Sequence, residues 1–79
     1  MFKNKTKNGI SNLCGQNVAL LRKEKNLSQR ALADKLQLAG MDLTKNAIQR
    51  IESGQRFVSD IELKAFADLF KVSLDKLIA

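Results

Sequence analysis

The stretch from Thr44 to Gly54, TKNAIQRIESG, constrains this chain more than any other. Placed on a helix at about 100° per residue, Ala47, Ile48 and Ile51 fall on one side. Lys45, Asn46, Gln49 and Arg50 fall on the other, so the segment must lay its apolar side against neighbouring elements. Thr44 is a natural N-cap, because its hydroxyl can accept an orphan backbone N–H of the first turn. Gly54 stands just past the last periodic residue, where a left-handed C-cap costs glycine least. The outer four side chains include no acid. Carboxamides and guanidinium groups are the side chains able to bond a base edge through two hydrogen bonds, Asn or Gln to adenine and Arg to guanine. Taken alone, the segment also fits a surface helix with a solvated polar face.

The remaining chain reads as short helices of the same kind. Ser11 or Asn12 could cap a first helix running to about Lys25, with Leu13, Cys14, Val18 and Leu21 as its apolar stripe. Arg22, Lys23 and Lys25 gather at its end, where cations suit the helix dipole. Ser28 caps a second helix with Leu32, Ala33 and Leu36 inside and Gly40 as its stop. Leu38, Met41 and Leu43 are more apolar than a solvated loop needs, so the connector before Thr44 is expected to pack. Ser59 and Glu62 form a capping box, S-x-x-E, opening a fourth helix. Ile61, Phe66, Leu69 and Phe70 supply its bulk, and Lys71 closes it. Ser73 can cap a last short helix with Leu74 and Leu77 inward. Strand-like alternation and proline are both missing, so the expected fold class is all-α with about five helices. Met1 to Gly9 has no period and alternates Lys3, Lys5 and Lys7 with polar residues. The expected organisation is a flexible basic arm over residues 1–10 and one domain over 11–79.

Composition narrows the function. The formal net charge is +6 over 79 residues. Residues 1–58 hold eleven Lys and Arg against four Asp and Glu, whereas 59–79 hold three against four. The excess cation therefore lies with the part that carries the amide-rich helix, and a polyanion is the implied partner, nucleic acid ahead of a membrane surface. No run of 18 apolar residues and no signal-peptide pattern occurs, so a cytoplasmic setting is expected and no membrane. Histidine is absent, the sole thiol, Cys14, has no base, and no glycine-rich phosphate loop or metal-ligand cluster is present. An enzyme, a metal and a cofactor are accordingly not expected. Cys14 reads as a small buried hydrophobe. Single-strand binding needs exposed aromatic platforms, and Trp and Tyr are absent while Phe66 and Phe70 sit on an inner face, so duplex DNA is preferred.

Three segments, VALLRKEKNLSQRALADKL, TKNAIQRIESGQR and SDIELKAFADLFKVSLDKLIA, together resemble the Cro/repressor-type (XRE-like, lambda-repressor-like) helix-turn-helix family over residues 17–79. The most specific marks are L-R-K-E-K-x-L-S-Q at 21–29, I-x-x-I-E-x-G-x-R at 48–56 and F-x-V-S-L-D-x-L at 70–77. The resemblance implies a five-helix domain whose second helix crosses the DNA backbone while the third lies in the major groove. Carried over residue by residue, it implies base reading by Lys45, Asn46, Gln49 and Arg50. It implies phosphate positioning by Gln29, Thr44, Gln55 and Arg56, and a structural ion pair between Arg22 and Glu52. Two departures stand out. Leu36 and Ile48 are separated by eleven residues where the family pattern usually places some six, so roughly five are extra, and helix two is expected to run toward Ala39 with Gly40–Leu43 as an enlarged turn. Phe57-Val58 replaces a small polar residue and proline, with Phe57 expected to anchor the loop to the core.

The expected function is a sequence-specific, double-stranded-DNA-binding transcriptional regulator, in the first instance a repressor. The alternative is a protein-interaction module or antitoxin-like adaptor that uses the apolar connector or the last helix. A homodimer would have to use the last two helices, with Ile78 a candidate contact, and no small-molecule effector is expected.

Overall fold

The computed structural model describes residues 12–78, so the expected basic arm over residues 1–10 lies outside the described residues. Five helices follow one another: α1 (Gly15–Glu24), α2 (Gln29–Leu38), α3 (Lys45–Glu52), α4 (Asp60–Phe70) and α5 (Leu74–Ile78). No strand occurs among the described residues. α3 packs against α2 and α1, and α5 closes the domain against α1 and α4.

Hydroxyl groups start α2, α3 and α4. Ser28 Oγ accepts from Ala31 N at 2.9 Å, and Thr44 Oγ1 accepts from Ala47 N at 3.2 Å. Ser59 and Glu62 form the full capping box, with Ser59 Oγ accepting from Glu62 N at 3.2 Å and Glu62 Oε1 accepting from Ser59 N at 3.1 Å. The helices end in a common way too. After α1, α2, α3 and α4 a residue with left-handed backbone follows, at Asn26, Gly40, Gly54 and Lys71. The next N–H then reaches back five residues, as in Leu27 N to Arg22 O and Met41 N to Leu36 O, which is the Schellman arrangement. Each helix is thus kept short by its own ends, and the turns are fixed by backbone hydrogen bonds.

The core is a single cluster. Val18 and Leu21 come from α1, Leu32, Ala33 and Leu36 from α2, Ile48 and Ile51 from α3, Phe66, Ala67 and Phe70 from α4, and Leu77 from α5. Phe66 and Phe70 stack with ring centroids 6.3 Å apart. Cys14 is buried as expected, and burial pushes its thiol pKa upward. The connector packs as expected through Leu43, which is buried, and Met41, which lies against the core.

Several expectations are corrected. The first helix starts at Gly15 rather than at Ser11 or Asn12, and Leu13, placed in its stripe from the sequence, is exposed because it precedes the first turn. Leu38 is 90% exposed, since the helix ends there and its side chain falls on the face opposite the core. Phe57 is exposed and does not anchor the loop; the partly buried Val58 packs there instead. Ile61 and Leu74 are exposed as well, at the first turns of α4 and α5.

Candidate nucleic-acid interface

Everything that holds α3 lies on its inner side or its ends. Ile48 and Ile51 have no solvent exposure, and Ala47 is partly buried beside them. The Glu52 carboxylate accepts from Arg22 Nε at 2.7 Å and Arg22 Nη2 at 3.0 Å, so the pair is bidentate. Gln29 Nε2 donates to the same Glu52 oxygen, Oε1, at 3.0 Å, and Arg22 Nη1 donates to Leu27 O at 2.8 Å. One carboxylate therefore ties α1, the α1–α2 turn and α2 to the last residue of α3. The Arg22–Glu52 pair expected from the resemblance is present, and its two side chains are only 12% and 9% exposed.

Two further residues complete the seat of α3, and the sequence reading passed over Gly15 altogether and over this role of Asn12. Asn12, considered only as a helix cap, donates through Nδ2 to Ile51 O at 3.1 Å and to Arg56 O at 2.8 Å. Its Oδ1 accepts from Gly15 N at 2.7 Å. It thus satisfies an end carbonyl of α3, the loop beyond it and the first N–H of α1 together. Gly15 packs so closely on the Ile51 carbonyl that a Cβ there would overlap the oxygen. The missing side chain at the first position of α1 is the signal for Gly15, and it becomes legible only once α1 and α3 are juxtaposed.

The outer side of α3 is different. Lys45, Asn46, Gln49 and Arg50 are all exposed, and among the described residues none has a side-chain hydrogen bond or ion pair. Thr44 is exposed and its hydroxyl serves as the N-cap. Four donors in a row thus face solvent from a rigidly held helix, so their ordering in a complex would fall on side chains alone.

The loop after α3 carries Gln55, which is exposed, and Arg56, which is partly engaged. Arg56 Nη1 and Nη2 meet the two Glu62 oxygens at 2.9 and 3.0 Å, and Nη1 also donates to Phe57 O at 3.0 Å. The hydrogen bonds from Arg56 hold the Glu62 carboxyl below its ordinary pKa, with the Ser59 backbone N–H adding to the effect against desolvation. Sequence reasoning missed this pair because it weighed Arg56 only as a phosphate ligand. No group of three or more side chains able to hold a metal ion occurs among the described residues, and no helix described is long and apolar enough to cross a membrane.

This arrangement is that of a helix-turn-helix unit, α2 and α3, seated on a small helical domain. The helix-turn-helix family model matches residues 18–77, and the chain belongs to that family, the XRE-type DNA-binding transcription regulators. The crystal structure of the DNA-binding domain of BldD superposes with a TM-score of 0.71, at 20% sequence identity, with all of both chains covered. At that identity the likeness concerns the fold. No curated protein sequence matches the chain.

Proposed function

We propose that this chain is a sequence-specific transcriptional repressor that reads the major groove of double-stranded DNA with α3. The observation that carries the reading is the split of α3 into a buried side anchored on α1 and α2 and an outer side of four unengaged donors. Asn46 and Gln49 have the two-point geometry for adenine, Arg50 that for guanine, and Lys45 adds a mobile cation to an acceptor edge. Gln29, Thr44, Gln55 and the remaining N–H groups of Arg56 position the backbone phosphates, with Gln29 also steadying α3 through Glu52.

The two roles separate by experiment. Arg50→Ala or Asn46→Ala should weaken binding to a selected duplex by about 1–3 kcal/mol and relax preference at one base pair. Gln55→Ala should weaken all sequences alike and leave the salt slope unchanged, because a neutral amide neutralises no phosphate. Selection of bound duplexes from a random pool, followed by titration of each variant, measures both. Identical behaviour of the two classes across sites would remove the assignment of readers and positioners.

A second reading, a protein-interaction module, is favoured by an apolar hollow of about 720 Å³ lined by Met41, Ile61, Ala65, Leu69 and Leu74. A duplex binder loses log affinity at about 0.9 per phosphate neutralised as log salt rises, whereas a module using this hollow would be nearly indifferent to salt. A homodimer on DNA would use the end of α5, where Ile78 is 45% exposed.

A further inference from the structure

The enlarged turn between α2 and α3 is as firmly built as the helices it joins. Gly40 N donates to Gln37 O at 3.0 Å and Met41 N to Leu36 O at 2.8 Å, closing α2. The Gln37 side chain then reaches forward, its Nε2 donating to Leu43 O at 3.1 Å. Leu43 is buried and Met41 partly so. Asp42 stands between them, exposed, and among the described residues its carboxylate has no ion pair or hydrogen bond. It precedes Lys45, the first residue of α3, by three positions. The chain thus carries an unpaired negative charge, on a backbone held by the turn, at the leading end of a helix whose outer face is otherwise amide and cation.

We infer that Asp42 is a specificity-determining residue, acting by repulsion of backbone phosphate at the entrance of α3 into the groove. The inference rests on the major-groove reading proposed above. Discrimination between duplexes is a difference of affinities, and an uncompensated like charge lowers the non-specific, phosphate-driven share of binding while leaving base contacts intact. Repulsion of this kind requires a carboxylate held near the start of α3, and the Gln37–Leu43 hydrogen bond with the buried Leu43 side chain fixes the backbone that carries the short Asp42 side chain there. Gln37 is then a positioning residue for the turn. The ordinary alternative for an acid ahead of a helix is support of the positive helix end, which would stabilise α3. The two roles give opposite signs on DNA affinity.

The test compares Asp42→Asn with Asp75→Asn, which removes the same charge from an exposed residue of α5, an element packed on α1 and α4. The probes are a selected duplex and a scrambled duplex of equal length, titrated at one salt concentration. Asp42→Asn is expected to raise affinity for the scrambled duplex about fivefold, more than for the selected one, so that the preference ratio falls. Asp75→Asn should move both duplexes equally and by less. Gln37→Leu, which leaves net charge unchanged, should also lower the preference ratio. Equal effects of Asp42→Asn and Asp75→Asn would overturn the inference, as would a loss of affinity with a lower melting temperature in Asp42→Asn, the dipole signature. Either result leaves the major-groove reading standing so long as Arg50→Ala still relaxes preference at one base pair. If the wild-type chain shows no steep salt dependence with any duplex, the reading itself fails first.

Discussion

The two sides of α3 obey opposite rules. Its inner side spends every polar group: Glu52 is met by Arg22 and Gln29, the Ile51 carbonyl by Asn12, and Ile48 and Ile51 are sealed from water. On the outer side the long polar side chains make no hydrogen bond or ion pair among the described residues. A helix kept for its fold alone could carry acids and bases in self-satisfying pairs, as α4 does with Lys64 and Asp68 at 3.3 Å. The difference teaches that the seat of α3 and its exposed row are separable, the first setting stability and the second left free for the recognition proposed above.

Substitutions on the two sides should therefore part company. Ile48→Ala empties a fully buried site and should cost about 3 kcal/mol in urea unfolding, a large share of the stability of so small a domain. Gly15→Ala forces a methyl group onto the Ile51 carbonyl and should cost about 2 kcal/mol by the same measurement, with α1 and α3 pushed apart. If Gly15→Ala were neutral, the close approach of the two helices would be wrong.

The Arg56–Glu62 pair should reveal itself through pH. The Glu62 carboxyl is held below its ordinary value in the folded chain, so its contribution is present above the ordinary carboxylate range and is lost as pH falls through the lowered value. Thermal unfolding followed downward from neutral pH should show this loss, worth no more than about 1 kcal/mol because the pair is screened by solvent. Glu62→Gln should flatten that part of the profile. The smallest effect belongs to the outer face: Arg50→Ala should leave unfolding stability within about 0.5 kcal/mol while its effect on DNA remains. A larger change would mean that the guanidinium supports the fold.

Much of this molecule was legible in order along the chain. Ser28, Thr44 and Ser59 cap the helices they were expected to cap, and the Ser59–Glu62 box forms in full. Gly40 and Gly54 end helices because their positions need left-handed backbone. The split of α3 follows from spacing alone. Errors concentrate where burial depends on which neighbour arrives: Leu13, Leu38, Phe57, Ile61 and Leu74 are apolar in sequence and exposed in space. An apolar side chain at a helix end or in a turn is buried only if another element crosses over it, and local periodicity contains no record of that.

Local chemistry, then, determined where α2, α3 and α4 begin, where α2 and α3 stop, and which residues of α3 are left to face outward, because caps and periodicity act within a few residues. Tertiary structure decided that Asn12 and Gly15 seat the end of α3, that Arg56 turns to Glu62, and that the long turn is latched by Gln37. Those contacts join residues whose side chains meet only after the helices pack, so their partners are chosen by geometry between elements rather than by pattern within one.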